Sequence, residues 1–541
     1  RLVKMDVVKD NFEEALVKLA ELLPSCSFVA IDEEMTGIQI DKTTHPCFGD
    51  SCETRYLKMK KVTEEYNLMQ VGLCLFREVS PNKLEAFPFN FYVFPAKQVS
   101  GRIHMSFSTA HFHVDNNMDF NKWISRGVPY ISHQQYEQRL QSFTPQPDAI
   151  ISPKRSPKPV TRQDDKVFVE SAVKKLEEWY NDANNTEEFE MPECNYFLYN
   201  ALTNEIDKLS GVVRRNKDPE DRRKFVVLVK KVTEEEKESL KQSEIEEKKD
   251  RLKLHSGFLR VLHLLKEHKK PLVGHNLMYD LLFFFSHFQG SLPESLGEFK
   301  SQLGENFPEI WDTKHLSFQS KQFSDTILGQ LYEKCCEKMP EVSVTIHEDF
   351  PNYEQSTQHH EAGYDAYMTG VVFAKLKSGQ LAPEEYKNKC YLMRSLFVLN
   401  LSGADEMIEK GALVVLHGFA PSVKTGDLLS IFRIDGTDVQ INIRWVDDFS
   451  AIAVTSCDTY EDAIALIDEN RSTKCDFCSY DEWTDKEKEL SSPAAAKMST
   501  PLPQKEGEQG KRGTKRGRDS QEGVEEEKTE KKKKEETSAE G

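Results

Sequence analysis

The sequence predicts a mixed α/β protein, because a strand meander near the start is followed by alternating helices and strands. Residues 28–31, 68–76 and 87–94 have the apolar character of buried strands. Residues 12–23 carry apolar side chains at helical spacing, after a plausible cap at Asp10-Asn11 and before Pro24. This combination is typical of a sheet that is covered by helices.

The later elements repeat the pattern. Beyond residue 256, the sequence predicts an amphipathic helix, a strand end, and two more helices, at 257–266, 271–273, 278–288 and 363–376. From residue 413 the order becomes strand, helix, strand, strand, helix, which indicates a separate α+β domain.

Composition shifts divide the chain into domains. Residues 144–166 contain five prolines and predict a linker, and the segment after residue 483 lacks aromatic residues and predicts a disordered tail. The predicted parts are a first domain in two pieces (5–143 and 241–402), the linker (144–166), an inserted small α/β module (167–240), a C-terminal α+β domain (411–483) and the tail (484–541).

Bulk composition restricts the class of protein. A chain of 541 residues has room for about three or four domains. A net charge of -18 would repel RNA, so any RNA contact needs local basic patches or metal ions. No run approaches the roughly 18 apolar residues of a membrane span. The 11 cysteines are scattered and odd in number, which favours a reducing compartment, the nucleus or the cytoplasm.

Four acids and a histidine are the candidate catalytic and metal-binding residues. Asp32 and Glu34 end a predicted buried strand and share one face of it, since side chains alternate along a strand. Asp280 follows Gly274-His-Asn in a strand-to-helix turn, and His360 precedes Asp365 at the start of another helix. Each motif alone is weak, because an acid after a strand is more often a cap or a surface residue.

The combination of these acids indicates divalent metal ions. Two like charges about 4 Å apart repel by on the order of 4 kcal/mol at an effective dielectric constant near 20. Hard cations with oxygen ligands offset such repulsion, and Mg²⁺ is the default choice. Two such ions can clamp the attacking and the leaving oxygen of a phosphodiester, while a histidine takes the proton from water at neutral pH.

In this order, Asp-x-Glu, Gly-His-Asn-x-x-x-Asp and His-x-x-x-x-Asp resemble the three motifs of the DEDD family of 3′→5′ exonucleases. His360 indicates the histidine form of the family, because the tyrosine form would need Tyr where Glu361 stands. Further segments are similar to the poly(A)-specific ribonucleases of that family: Phe89-Asn-Phe-Tyr-Val-Phe-Pro95, Asp119-Phe-Asn-Lys122, Asp312-Thr-Lys314 and His360-Glu-Ala-Gly-Tyr-Asp-Ala-Tyr367.

The resemblance implies a ribonuclease-H-like nuclease domain, two Mg²⁺ ions (Mn²⁺ as a substitute) and release of 5′-AMP from the free 3′-hydroxyl of poly(A) tails. Asp32 would bridge both ions, Glu34 and Asp365 would hold the ion beside the attacking water, and Asp280 would hold the other. His360 would be the general base. Homodimers formed through the nuclease domain are also implied.

The resemblance also implies RNA contacts at Met35, Ile38, Phe112, Asn276 and Lys314. Core packing is the alternative for Met35, Ile38 and Phe112, and a solvated surface lysine is the alternative for Lys314. The family's usual aromatic residue is absent at Met35, although a thioether can still pack on a ring.

The accessory modules resemble RNA-binding domains. The insertion is similar by position to an Arg-x-x-x-His-type RNA-binding domain, but Arg251 and His255, which have that spacing, lie beyond it. Residues 411–483 resemble an RNA-recognition-motif (RRM)-like domain in which Trp445 would stack on the 7-methylguanosine cap. A tryptophan buried at a domain contact is the alternative. Basic runs at 511–518 and 531–534 could be nuclear import signals or a solubilising tail.

Three hypotheses about function follow, the first of them in two variants. The first is a poly(A) exoribonuclease that is stimulated by the cap and is present in the nucleus and the cytoplasm. A nuclease that trims the 3′ ends of small non-coding RNAs is a close alternative. An RNA-binding adaptor with a silent nuclease fold comes from another class, and a DNA exonuclease is a weaker third alternative.

Overall fold

The computed structural model describes residues 6–97, 99–143, 159–182, 187–217, 224–323, 326–350, 360–408, 411–433, 438–468 and 473–484. Most of the predicted linker, the predicted tail after Thr484 and the basic runs within that tail lie outside the described residues.

The strands, in chain order, are β1 (Asp6–Val7), β2 (Phe28–Met35), β3 (Leu68–Ser80), β4 (Lys83–Pro95), β5 (Val128–Tyr130), β6 (Phe189–Glu190), β7 (Val212–Asn216), β8 (Val227–Lys231), β9 (Leu272–Gly274), β10 (Ile310–Asp312), β11 (Ser343–Ile346), β12 (Lys389–Cys390), β13 (Phe397–Asn400), β14 (Glu406–Met407), β15 (Leu413–His417), β16 (Ile441–Trp445), β17 (Ser450–Thr455) and β18 (Asp476–Ser479).

The α-helices, in chain order, are α1 (Phe12–Leu22), α2 (Cys52–Glu65), α3 (Phe107–Asp115), α4 (Phe120–Arg126), α5 (His133–Phe143), α6 (Gln163–Asn181), α7 (Tyr196–Ile206), α8 (Glu234–His255), α9 (Leu259–His268), α10 (Met278–Phe284), α11 (Leu296–Asn306), α12 (Thr313–Ser320), α13 (Leu328–Lys338), α14 (Ala362–Ser378), α15 (Thr425–Leu429) and α16 (Tyr460–Ala465). The predicted α/β class is confirmed.

The main sheet has the strand order β1-β4-β3-β2-β9-β10, with β5 and β11 added at β4. Strands β2, β3 and β4 form the predicted antiparallel meander, and β9 and β10 continue the sheet parallel to β2. Counted from β2, this is the 3-2-1-4-5 order of the ribonuclease-H-like fold. Strands β10 and β11 were not predicted from the sequence, because three or four residues carry too little periodic signal.

Helix α14 is the central helix of this domain and is buried on all sides from Ala362 to Leu376. It crosses the sheet at Gly72 of β3, where an added Cβ atom would lie 1.9 Å from the carbonyl oxygen of Ala362. One face of the sheet can therefore hold the start of α14 at van der Waals distance only because residue 72 has no side chain.

The inserted module forms a three-stranded sheet, in the order β6-β8-β7, covered by α6 and α7. Helix α6 begins at Gln163, within the predicted linker, and α8 runs unbroken across the predicted boundary at residue 240. Four basic side chains of this module, Arg214, Arg215, Lys217 and Lys224, each form an ion pair with an acid at 2.7–2.9 Å.

The C-terminal domain has the strand order β16-β17-β15-β18, which is the 4-1-3-2 order of an RRM-like sheet read from the other end. One face of this sheet packs on α15 and α16. The opposite face, with Val415, Ile452 and Val454, packs against Phe48 and Leu396 of the first domain. The sheet face that RRM domains usually present to RNA is thus covered here.

None of the described helices combines the length and the apolar character needed to cross a bilayer.

We predict that Gly72→Ala lowers the stability of the first domain by about 1–3 kcal/mol, because the new methyl group would overlap the start of α14. Thermal unfolding of the purified chain would measure the loss. Gly304→Ala is the matched control, since Gly304 lies in α11 with no atom within 4 Å of an added Cβ. The control should unfold at the same or a higher temperature. Equal midpoints for the wild type and Gly72→Ala would contradict this account.

Candidate metal centre

Strand β2 supplies the first two acids. Its buried apolar half (Phe28–Ile31) lies between β3 and β9, and the carboxylates follow where β9 has already ended its pairing with β2. Asp32 lies opposite Gly72, so its side chain points to the face on which α14 begins. Glu34 lies opposite Gln70 on the same face and is 9% exposed.

Helix α10 supplies the third acid, Asp280, in its first turn. The side chain is 8% exposed, and its carboxylate accepts a hydrogen bond from the backbone of Glu33. Burial raises the pKa of Asp280 to about 8, with a further contribution from the nearby carboxylate of Asp312. The β9–α10 turn therefore places directly beside β2 a carboxyl group that ionises less readily than usual.

The start of α14 supplies His360 and Asp365. A ring nitrogen of His360 and one carboxylate oxygen each of Glu34 and Asp365 lie within 4.8 Å of one another. Burial raises the pKa of Asp365 to about 7, although a hydrogen bond from the His360 backbone opposes this rise. His360 itself is exposed and has a left-handed backbone (φ +66°).

The pKa of Asp32 shows that all four acids are close enough to interact. Burial, and then the carboxylates of Asp365, Asp280 and Glu34, raise the pKa of Asp32 well above its usual range. The pKa of Glu34 is also raised, by burial and by the carboxylates of Asp365 and Asp280. The structure thus brings the five residues predicted from the sequence into one cluster.

The donor set of this cluster fits a hard divalent cation. It consists of carboxylate oxygens and one imidazole, and Oδ1 of Asp365 is buried without a hydrogen-bond partner. Carboxylates this close and this buried are ionised together only if a cation offsets their charge. Asp32, Glu34, Asp280 and Asp365 can hold such ions.

Phe112 is the one of three apolar residues predicted to contact RNA for which a ring contact with the cluster is seen. The Phe112 ring is 41% exposed, and its centroid lies 4.8 Å from that of His360. Ile38 is 57% exposed, so neither residue is a core side chain. Met35 is half-buried and packs against the main core, in keeping with the core-packing alternative.

Asn276 and Lys314 are held by one buried carboxylate, Asp312. Its Oδ1 accepts hydrogen bonds from the backbone N–H groups of Asn276 and Lys314, both at 2.9 Å. Asn276 has a left-handed backbone (φ +59°), and its exposed side chain stands four residues before Asp280. Nζ of Lys314 donates to the carbonyl oxygen of Thr326 at 3.1 Å.

Trp445 lies in β16 of the RRM-like domain and is not part of this cluster. The indole is half-buried on the helical side of the sheet, edge-on to Phe419, and donates from Nε1 to Oγ1 of Thr425 at 3.1 Å.

Sequence reasoning missed two residues beside the site. Nδ1 of His113 lies 3.8 Å from Oε2 of Glu34, while its Nε2 donates to the Met35 carbonyl oxygen at 2.8 Å. Oε1 of Gln70 accepts a hydrogen bond from the N–H of Ala362 at 3.4 Å and satisfies the uncapped start of α14. The position of Gln70 opposite Glu34 could have indicated it, but only once the register was known.

Comparison with known proteins shows which family the chain belongs to. A model described as CAF1 family ribonuclease matches residues 7–373. The chain is 30% identical over 496 residues to the poly(A)-specific ribonuclease PARN of Homo sapiens, covering 84% of this chain and 76% of the relative. It is 27% identical over 504 residues to the pre-piRNA 3′-exonuclease trimmer of Bombyx mori, covering 86% of this chain and 91% of the relative.

Among solved structures, S. pombe Pop2p in its Mg²⁺- and Mn²⁺-bound form is similar over 72% of this chain and 98% of that chain, with a TM-score of 0.37 and 14% identity. The family model spans more than half of the chain and includes Asp32, Glu34, Asp280, His360 and Asp365. The chain therefore belongs to the CAF1 family of ribonucleases.

Proposed function

We propose that the protein is a Mg²⁺-dependent 3′→5′ exoribonuclease that shortens poly(A) tails and releases 5′-AMP from a free 3′-hydroxyl. The observation that carries the proposal is the convergence of Glu34, His360 and Asp365 within 4.8 Å, next to Asp32 and Asp280. The similarity to poly(A)-specific ribonucleases supports the substrate.

The four acids would hold two divalent ions, Mg²⁺ or Mn²⁺. Ions bound there would activate the attacking water and stabilise the leaving oxygen. His360 is exposed at the edge of the cluster, where its imidazole can accept the proton of the attacking water. The edge-on contact with Phe112 limits the directions in which this ring can turn.

The same surroundings would hold the end of the RNA. Ile38 and Phe112 offer exposed apolar surface for the terminal base, and Met35 supplies a half-buried thioether beside them. Lys314 would offset phosphate charge, and the amide of Asn276 would donate or accept hydrogen bonds next to Asp280.

Trimming of small non-coding RNAs is the second candidate, favoured by the similarity to the B. mori trimmer. The two candidates can be separated by measuring how fast the protein shortens two RNAs, one with an A-tailed 3′ end and one with a mixed-sequence 3′ end. The silent adaptor would bind both RNAs and shorten neither of them.

We further propose that Trp445 binds the 7-methylguanosine cap, that the protein forms homodimers through its nuclease domain, and that it acts in both the nucleus and the cytoplasm. Light scattering that reports a particle of twice the 62.3 kDa chain would test the dimer. Imaging of the tagged chain in cells would test the compartments.

We predict that Asp32→Ala reduces 5′-AMP release from a capped, A-tailed RNA by at least about 100-fold, because the variant loses the carboxylate that interacts with all three other acids of the cluster and would help to hold the ions. Excess EDTA should abolish release by the wild type. Asp164→Ala is the matched control, because it removes an exposed acid in the first turn of α6, in the inserted module. Shortening by Asp32→Ala at the wild-type rate would reject the proposed function.

We predict that Mg²⁺ raises the thermal unfolding temperature by several degrees, and more at pH 8 than at pH 6. The pKa values of Asp365 and Asp280 are raised to about 7 and about 8, so the folded metal-free chain keeps protons that the unfolded chain releases. Without metal, stability consequently falls as pH rises from about 4 towards 8. Bound metal removes that penalty, and it binds only the ionised acids.

Scanning calorimetry with MgCl₂, against NaCl at equal ionic strength, would measure the effect. Asp32→Ala serves as its control and should lose most of the Mg²⁺-dependent shift. An equal shift in this variant, or an equal shift at both pH values, would contradict the prediction.

We predict that Trp445→Ala weakens binding of 7-methyl-GTP by roughly tenfold or more, because a cationic purine on an indole is worth about 1–2 kcal/mol. Fluorescence titration would measure the affinity. Phe449→Ala removes an exposed aromatic residue from the same hairpin and should leave the affinity within about twofold, a change below the ~0.5 kcal/mol typical of surface substitutions. Equal affinities of Trp445→Ala and the wild type would exclude Trp445 as the cap site.

A further inference from the structure

A cavity of about 220 Å³ lies where the first domain meets the RRM-like domain. None of the predicted site residues lines it. Its walls combine aromatic rings with guanidinium groups, from Phe48, Phe318, Tyr391, Arg394 and Arg444. A typical small-molecule pocket is larger, roughly 300 Å³ or more, so this one suits a single flat base.

Two rings of the cavity, Phe318 and Tyr391, are in contact, with their planes inclined by 57°. The centroids of Phe318 and Tyr391 are 5.5 Å apart, and Phe318 is 43% exposed. The guanidinium of Arg444 lies 5.9 Å from the ring centroid of Phe48 on the opposite wall. Grooves that bind single-stranded nucleic acids combine the same two features: ring faces for bases and cations for the backbone.

The segment that carries Arg394 is fixed before any ligand arrives. Arg394 has a left-handed backbone (φ +50°), which costs about 1–2 kcal/mol for a residue with a side chain. The buried guanidinium of Arg55 holds it, donating to the carbonyl oxygens of Met393 (2.6 Å) and Arg394 (3.0 Å). Asp50 in turn accepts a hydrogen bond from Nε of Arg55 at 3.0 Å. Such strain persists where the surroundings impose it, and it is frequent at binding sites.

Hydrogen bonds to the buried carboxylate of Asp312 connect the wall of the cavity to the turn that carries Asp280. Oδ2 of Asp312 accepts a hydrogen bond from the N–H of Tyr391 at 3.0 Å, and its Oδ1 holds Asn276 and Lys314. Nζ of Lys314 lies 5.6 Å from the ring centroid of Tyr391. Phe318 follows Lys314 by four residues on α12, which is about 6 Å along the helix.

We propose that this cavity is a subsite for one base of the RNA strand, several nucleotides upstream of the 3′ end. The inference rests on the proposed function, because it takes the 3′ end to lie at the metal centre. The base stacks on the exposed ring of Phe318, with the ring of Tyr391, inclined by 57° to that of Phe318, against its edge, and the adjoining phosphates lie against Arg394 and Lys314. The positively charged 7-methylguanine is a poor occupant, since two guanidinium groups line the cavity.

The test is a set of binding measurements on the full chain in EDTA, in which no RNA is cut. Fluorescence anisotropy would report the affinity for an oligoadenylate of about 20 nucleotides and for versions that each lack one base within about ten nucleotides of the 3′ end. The protein variants are Phe318→Leu and Arg394→Gln. Arg126→Gln is the control, because Arg126 is paired with Asp10 away from the cavity.

We expect Phe318→Leu to weaken binding of the intact RNA by roughly 5- to 100-fold. For the wild type, we expect removal of the base at one position of the RNA to weaken binding by a similar factor. The two changes should not add, because each removes the same stacking contact. Arg394→Gln should weaken all RNAs and lower the salt dependence, while Arg126→Gln should match the wild type.

Additive losses at every base position would overturn the proposal, as would unchanged binding by Phe318→Leu. Loss of 7-methyl-GTP affinity in these variants, with RNA affinity intact, would also overturn it and assign the cavity to the cap. Unfolding temperatures equal to that of the wild type would show that both variants fold. Since no step needs cleavage, failure here differs from failure of the proposed function, which would appear as absent Mg²⁺-dependent shortening.

Discussion

The mutual repulsion of buried carboxylates is the constraint on which the rest of this structure depends. Asp32, Glu34, Asp280 and Asp365 are close enough for their charges to affect one another, and burial removes the water that would screen them. Without cations the group can ionise only at a cost, which is why the pKa values of all four are raised. This fold therefore needs bound cations if the four carboxylates are to be ionised together.

Small backbone features make this gathering possible. Gly72 leaves room for the start of α14, so Asp365 and His360 come beside the acids of β2. Gln70 satisfies the first N–H of α14 from the neighbouring strand. Asp312 ties the β9–α10 turn to the start of α12 and, through Tyr391, to the segment before β13. Asp312 thus fixes the backbone of both Asn276 and Lys314, two of the proposed RNA contacts.

The RRM-like domain takes an unusual place in this arrangement. Its open sheet face packs on Phe48 and Leu396, so RNA cannot stack there while the two domains remain in contact. Trp445 stands on the helical side instead, and Arg444 points into the cavity shared with the nuclease domain. In the insertion, Arg214, Arg215, Lys217 and Lys224 are paired with acids, which lowers the attraction of these four side chains for RNA.

The sequence by itself determined the α/β class and the β2–β4 meander, and it predicted the five residues that the structure brings into one cluster. These follow from local signals: apolar runs, helical spacing and short acid motifs at the ends of elements. Only the tertiary structure decided that Gly72 admits α14, that His113 and Gln70 lie beside Glu34, and that the RRM-like sheet face is covered. Each of these depends on strand register or on contacts between residues far apart in the chain, which local patterns do not encode.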